Sequence, residues 1–305
     1  MRLVYFGSSD FGLPTLQRLV VEHDVPLIVT QPDRPAGRRR RLLPTPIAAF
    51  ADQCGIEVLK PADVNDPAVE ARVRQVEATA LVVIAYGQKL GSALLDDTFA
   101  INLHGSLLPK YRGAAPINWA VINGETETGI SVISMTQRMD GGAILAERAT
   151  AIDPMETAGE LELRLSALGP DLVLQTLAEY ASDELAPKPQ NDELACPAPK
   201  LTKADGTVRF DEPATVVQRR VHGLTPRPGC TVVYNDQRLR LERVTVIENP
   251  ATSGEPGEVL ADGTIACASG AVGLLAVQPA GGKLMSFDAY RRGHEIPPGA
   301  RLGPV

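Results

Sequence analysis

The run ALVVIAYG, residues 80–87, decides how this chain folds. It is apolar without alternation and ends in a tyrosine and a glycine. A strand with one wet face alternates apolar and polar side chains, whereas a strand buried on both faces does not have to. Unbroken apolarity over so short a length predicts a central strand of a parallel sheet.

The neighbouring segments agree. RLVYFG (2–7) is β-rich and ends at Gly7; VPLIVTQ (25–31), IEVLKP (56–61) and TFAINLHG (98–105) read as further strands. Between them, FGLPTLQRLVVEH (11–23) sets Leu13, Leu16, Leu19 and Val20 at helical spacing behind a candidate cap, Asp10. TPIAAFADQCG (45–55) and DPAVEARVRQVEA (66–78) are likewise helical. Strand–helix alternation predicts an α/β fold with a Rossmann-like, open, mostly parallel sheet. Such sheets bind ligands beyond the carboxyl ends of their strands, where Tyr86–Gly87 and Asn102–His104 fall.

Further on, the pattern predicts a helix over 115–123, strands over 128–136 and 143–152 around an Asp140-Gly141-Gly142 turn, and an amphipathic helix over 157–181. Residues 186–206, APKPQNDELACPAPKLTKADG, are rich in proline and polar groups, a linker composition. The remainder has short alternating runs separated by glycine, which predict a small C-terminal β-barrel, OB-like. The expected division is an α/β domain over 1–190, a linker over 191–206 and the barrel over 207–305.

The 305 residues, 44% of them apolar, suffice for one large or two ordinary domains. No run of eighteen apolar residues suggests a membrane span. The N-terminus reads as a first strand rather than a signal peptide, which makes the cytoplasm the default location. Four cysteines and four histidines are dispersed, with no CxxC pair, so neither a disulfide framework nor a metal site is legible. A net charge of −7 argues against a generic nucleic-acid binder. The charge is uneven, because residues 206–305 carry 11 Lys+Arg against 10 Asp+Glu, leaving the acidic excess in residues 1–205. Inside that acidic part lies GRRRR (37–41). Arg38, Arg39, Arg40 and Arg41 form either a solvated face or a contact for a large anion such as RNA. Pro35 before them and Pro44 and Pro46 after stiffen the ends of that loop, while Gly37 leaves its entry free to turn.

Two motifs bear on chemistry. GSSDFG (7–12) has Ser9 where the dinucleotide fingerprint needs its second glycine. Asn102 and His104 are two apart on a strand, hence on one face. An amide and an imidazole there can hold an oxygen that becomes negative during acyl transfer. Asp140, in the MDGG turn, is the candidate orienter or proton acceptor for that histidine. A histidine at a strand end is also commonly a polar group satisfied by its neighbours, and residue types alone leave both readings open.

SLLPKYRGAAPINWA (106–120), the Asn102-x-His104 before it and Asp140-Gly141-Gly142 after it resemble the folate-dependent formyltransferases. TQPDRPAGRRRRLLPTPI (30–47), KLTKADGTVRF (200–210), HGLTPRPG (222–229) and LLAVQPAGGKLMS (274–286) resemble the members that act on charged initiator tRNA, so the likeness runs nearly end to end. The resemblance implies 10-formyltetrahydrofolate as donor, no metal, the amino group of methionyl-initiator tRNA as acceptor, and a monomer. It implies that Asn102 and His104 stabilise the developing oxyanion, and that Asp140 orients His104 and helps remove the amine proton. It places the folate against Ile84, Tyr86, Gly87 and Leu90 and against Ser106, Leu107, Leu108 and Pro109. It assigns the tRNA acceptor stem to Arg38, Arg39, Arg40 and Arg41 and to Lys200 and Lys203. The chain departs from the family at Asn118-Trp119, usually Gln-Arg, at Gly141, often threonine, and at His222 and Arg227, where the family has an arginine-alanine and tryptophan-containing version. NGETETG (123–129) and LPKYRG also resemble a formyltransferase acting on an amino-sugar nucleotide, which lacks the QPDRPAG basic loop. A formate-releasing hydrolase would use the same three residues. A non-enzymatic RNA-binding module would explain the arginines and the barrel but leave Asn102, His104 and Asp140 without purpose.

Overall fold

The structure is a computed structural model that describes residues 1–36 and 41–304. Two compact units emerge. The first comprises Met1–Gly113, Gly129–Thr150 and Glu162–Pro197; the second comprises Ala114–Thr128, Ala151–Leu161 and Ala198–Val305.

In chain order the elements up to the second unit's main segment are β1 (Arg2–Gly7), α1 (Leu13–Glu22), β2 (Asp24–Val29), β3 (Arg34–Ala36), β4 (Arg41–Leu43), α2 (Pro46–Cys54), β5 (Glu57–Leu59), α3 (Pro67–Arg74), β6 (Ala80–Ile84), α4 (Ser92–Leu95), β7 (Ala100–His104), β8 (Arg112–Gly113), α5 (Pro116–Ile122), β9 (Glu127–Ser134), β10 (Ile144–Ala151), α6 (Ala158–Ala181) and β11 (Pro197–Ala198). Seven strands form one sheet in the order β10-β9-β7-β6-β1-β2-β5. The ladders from β5 to β7 are parallel, with Tyr5 opposite both Ile28 and Val82, and β9 turns antiparallel to β7. The predicted mostly parallel sheet is therefore present. Its middle strands are buried on both faces, as the unbroken apolarity of ALVVI requires: every residue of β6 is buried. The chain lays down β1, β2 and β5 in one direction, then returns past β1 to add β6 and β7. This reversal makes the carboxyl ends of β1 and β6 the topological switch point of the sheet.

The turn GSSDFG sits at that point. A Cβ on Gly12 would stand 2.1 Å from the Tyr5 hydroxyl, and one on Gly7 would stand 2.7 Å from it. The same hydroxyl donates to the Gly12 carbonyl at 3.0 Å. The two glycines make room for a fully buried tyrosine, which accounts for them without a dinucleotide. The helices start where the sequence signals it: Thr45 accepts from the Ala48 amide and Asp66 from the Ala68 amide.

The proline-rich stretch is not featureless. Lys188 exchanges both backbone hydrogen bonds with Ile144 at 2.8 Å, and the Arg112 amide donates to the Cys196 carbonyl at 2.9 Å.

The second unit adds α7 (Ala214–Leu224), β12 (Cys230–Tyr234), β13 (Gln237–Ile247), β14 (Ile265–Ala266), β15 (Ala271–Pro279), β16 (Met285–Ser286), α8 (Phe287–Arg291) and β17 (Gly303–Pro304). Its sheet has the order β14-β15-β13-β12-β17, with β16 beside β15, and its ladders are antiparallel. Asn235 and Asp236, both at positive φ, close the β12–β13 hairpin, as the two-residue turn of a twisted hairpin demands. Register shifts around Arg243 bend β13. The result is a curled antiparallel half-barrel around Val217, Val221, Leu224, Val232, Leu241 and Val277.

Candidate active site

His104 is the last residue of β7 and Asn102 lies two before it on the same face, paired with Val83 on β6 and Ile133 on β9. The side chain of His104 is only 6% exposed and that of Asp140 is 11% exposed. His104 Nε2 lies 2.8 Å from the Tyr111 carbonyl oxygen. A carbonyl can only accept, so Nε2 carries a hydrogen and donates. The other ring nitrogen, Nδ1, faces Asp140 Oδ1 at 3.7 Å. That distance exceeds a direct hydrogen bond. Asp140 Oδ2 accepts from the Gly113 amide at 2.8 Å. One short segment, Tyr111 to Gly113, therefore holds both side chains: it takes the far side of the imidazole with a carbonyl and the far oxygen of the carboxylate with an amide.

The local backbone pays for this arrangement. Tyr111 at φ 62° and Asp140 at φ 48° both occupy the left-handed region, which non-glycine residues enter at a cost of roughly 1–3 kcal/mol. The residues that face the two ring nitrogens of His104 are thus both strained. The loop between His104 and Tyr111 is tied down by hydroxyls. Ser106 Oγ donates to the Lys110 carbonyl at 2.7 Å, Ser131 Oγ to the Ser106 carbonyl at 2.7 Å, and the Leu108 amide to Ser131 Oγ at 3.1 Å.

The residues expected around a folate fall into two groups. Ile84, Tyr86, Leu90, Ser106 and Leu108 are buried. Leu107 and Pro109 are half-buried and Gly87 is exposed. Ala85 at φ 48° and Gly87 at φ 91° turn the chain sharply after β6. Gln88 fixes that turn by accepting from the Val64 amide at 2.8 Å and donating to the Pro61 carbonyl at 3.1 Å. Ser9 Oγ, Gln31 Nε2 and Tyr86 Oη, each shortly beyond a sheet strand's carboxyl end, are buried without a hydrogen-bond partner among the described residues. Buried polar atoms of this kind call for water or a ligand.

Arg38, Arg39 and Arg40 lie outside the described residues. Arg41 is exposed and opens β4, which pairs antiparallel with β3 through Ala36↔Arg41 and Arg34↔Leu43. The base of this hairpin is held by Lys60 Nζ, 2.7 Å from Asp33 Oδ1, and by Arg34 donating to Gln31 Oε1 at 3.1 Å. Lys200 and Lys203 are exposed in the second unit. The departures have structural partners there: Asn118 Nδ2 donates to the Gly223 carbonyl at 2.7 Å and Trp119 Nε1 to the Pro199 carbonyl at 2.9 Å. His222 is buried and Arg227 exposed. At Gly141 a Cβ would meet the Arg138 side chain at 2.7 Å.

Sequence reasoning missed Tyr111, Gly113, Arg112 and Gln190. Nothing in a tyrosine's identity signals a left-handed backbone, and Gln190 stands in a stretch whose composition reads as a linker.

At the carboxyl edge of an open α/β sheet stand a strand-end imidazole and a carboxylate facing it, with an asparagine on the same strand face, groups of the kind able to stabilise an oxyanion. The sequence profile of the family described as Formyl transferase matches residues 1–177, and that of its C-terminal domain matches residues 200–295. The chain belongs to the formyltransferase family. It is 40% identical over 310 residues to a methionyl-tRNA formyltransferase of Citrifermentans bemidjiense, covering 99% of this chain and 96% of that one. It is also 40% identical over 318 residues to a methionyl-tRNA formyltransferase of Heliobacterium modesticaldum, covering 99% and 100%. Among solved structures, HypX from Aquifex aeolicus in complex with tetrahydrofolic acid superposes with a TM-score of 0.62 at 17% identity, over 95% of this chain and 47% of that one. WlaRD, a sugar 3N-formyl transferase, does so with a TM-score of 0.67 at 13% identity, over 92% and 97%. These last two likenesses are of fold alone.

Proposed function

We infer that the protein transfers the formyl group of 10-formyltetrahydrofolate to the free amino group of methionyl-initiator tRNA. The observation that carries formyl transfer is the buried His104–Asp140 pair, 3.7 Å apart, with Asn102 on the same strand face as His104. The near full-length likeness to methionyl-tRNA formyltransferases supports the acceptor.

The amine nitrogen attacks the formyl carbon, and the electron pair of the C=O bond moves to oxygen. The Asn102 amide and His104, through Nδ1–H of the protonated ring, donate to that oxyanion. Asp140 takes a proton from the attacking nitrogen, directly or through one water. The intermediate collapses, the bond to N10 of the folate breaks, and N10 leaves with a proton returned from the same pair. No covalent enzyme intermediate is required.

The folate lies against the backbone of Ile84, Tyr86, Gly87 and Leu90 and along Ser106–Pro109. Arg38–Arg41, with Lys200 and Lys203, hold phosphates of the acceptor stem. In this reading residues 1–190 carry catalysis, 191–206 link, and 207–305 contact tRNA. The enzyme works as a monomer in the cytoplasm, where initiator tRNA is charged.

The test is acceptor choice. Purified protein given 10-formyltetrahydrofolate should formylate methionyl-tRNA and leave a 4-amino-pentose nucleotide unmodified. Preference for the sugar nucleotide would overturn the acceptor, and formate release without transfer would point to a hydrolase.

A further inference from the structure

Gln190 stands in the proline-rich stretch, fifty positions from Asp140. Its side-chain nitrogen donates to the carbonyl oxygens of Asp140, at 2.8 Å, and of Gly142, at 2.7 Å. Its side-chain oxygen accepts from Arg112 Nε at 3.0 Å and Nη2 at 2.6 Å. An amide nitrogen has two hydrogens and an amide oxygen two lone pairs, so this side chain is fully used. Its orientation is also unambiguous. Exchanging nitrogen and oxygen would set donors against a guanidinium and an acceptor against two carbonyls.

The group behind Gln190 is equally fixed. Arg112 Nη2 reaches Asp192 Oδ1 at 2.8 Å, and Arg138 Nη1 reaches Asp192 Oδ2 at 2.5 Å. Those two arginines hold the Asp192 carboxyl below its usual range. Arg112 lies between Tyr111, whose carbonyl takes the His104 ring, and Gly113, whose amide takes the Asp140 carboxylate. Gln190 therefore connects both sides of the catalytic pair.

Asp140 needs such support. At φ 48° its backbone is in the left-handed region, where a non-glycine residue persists only if its surroundings over-determine it. The Asp140 and Gly142 carbonyls, on either side of Gly141, are gripped by one amide nitrogen. We propose that Gln190 is a positioning residue for formyl transfer. It grips the turn so that the Asp140 carboxylate stays beside His104 Nδ1 rather than swinging away. The proposal rests on the reading of Asp140 as the proton acceptor.

The test is a kinetic cycle on the full chain, with 10-formyltetrahydrofolate and methionyl-tRNA, over Gln190→Met, Asp140→Asn and the double variant. Gln190→Met keeps the length and removes all four hydrogen bonds. It should lower kcat about ten- to a hundredfold, the scale of a small misplacement of a reacting group. KM for either substrate should stay within about twofold, because no substrate contact is lost. Added to Asp140→Asn, it should cost less than about twofold more, since its effect passes through that carboxylate. If Gln190→Met does not fold, as judged by circular dichroism, Gln190→Glu carries the same test: it still accepts from Arg112 but cannot donate to the two carbonyls. A folded variant with wild-type kcat, or the full loss repeated in the Asp140→Asn background, overturns the proposal. A slow Asp140→Asn beside a wild-type Gln190→Met sinks this proposal alone; a wild-type rate in Asp140→Asn sinks the reading of Asp140 with it.

Discussion

The carbonyl oxygen of Tyr111 lies 2.8 Å from Nε2 of His104 and thereby decides which nitrogen of that ring faces Asp140. With Nε2–H committed to a carbonyl, the neutral ring has its lone pair on Nδ1, the atom 3.7 Å from Asp140. Tyr111 is strained at φ 62° to make this bond. Nitrogen-15 NMR of the free enzyme should therefore show a hydrogen on Nε2 of His104. A ring protonated on Nδ1 and bare on Nε2 would contradict the arrangement.

In the proposed mechanism His104→Ala removes one oxyanion donor and the partner of Asp140. The barrier should rise by about 3 kcal/mol, a hundredfold or more in kcat. The circular dichroism spectrum should be unchanged, because the strand keeps its pairing to β6 and β9. A variant that retains full turnover would remove His104 from the mechanism.

Replacing Arg38, Arg39, Arg40 and Arg41 with glutamine should raise KM for methionyl-tRNA and flatten its dependence on salt, because each lost phosphate contact releases fewer counterions. KM for the folate should not move. The opposite result, a folate effect with an unchanged tRNA salt slope, would detach this loop from the acceptor.

Tyr5 and the glycines around it form a packing unit that can be tested by stability alone. Gly12→Ala puts a methyl 2.1 Å from the Tyr5 hydroxyl. Overpacking of this kind costs about 1–3 kcal/mol. Tyr5→Phe in the same background should recover most of that loss, since it deletes the clashing oxygen for the sake of one hydrogen bond worth about 1 kcal/mol. Urea unfolding of the three variants measures it, and additive losses would refute the pairing.

His222 makes the stability of the protein sensitive to acid. Its Nε2 accepts from the Val244 amide at 3.2 Å. Burial, first, and the Arg243 charge, second, push its pKa down to about 4 from 6.5. A hydrogen bond to the backbone of Pro154 and the Glu160 charge pull the other way. The unfolded chain thus takes up this proton before the folded one does. Stability should be full above pH 6.5 and decline as the pH falls toward 4, by roughly 3 kcal/mol from this residue. His222→Gln should remove that component from a series of melts between pH 7 and 4. An unchanged pH profile would show that the ring is not held neutral.

Particular elements show where sequence reading succeeds. The strands β1, β2, β6 and β7 and the helices α1, α2 and α6 were each legible because burial on a sheet imposes local patterns: unbroken apolarity for central strands, a 3.6 period for helices. Asn102 and His104 were legible as a pair because strand geometry alone puts alternate residues on one face. Asp140 was legible only as a candidate, since its place depends on a hairpin closing back over β7.

What the sequence determined by itself was the mostly parallel sheet, a small C-terminal domain of short barrel-forming strands and the identity of three groups able to do acyl-transfer chemistry. These depend on local periodicity and on residue type, which a linear chain displays. Only the tertiary structure decided which nitrogen of His104 is free, what strains Tyr111 and Asp140, and that Gln190, in a stretch composed like a linker, grips the turn carrying the carboxylate. Those facts are hydrogen bonds between distant segments. Their partners are set by how the chain packs, and carbonyls and amides, the groups that hold the site, are the same at every position of the sequence.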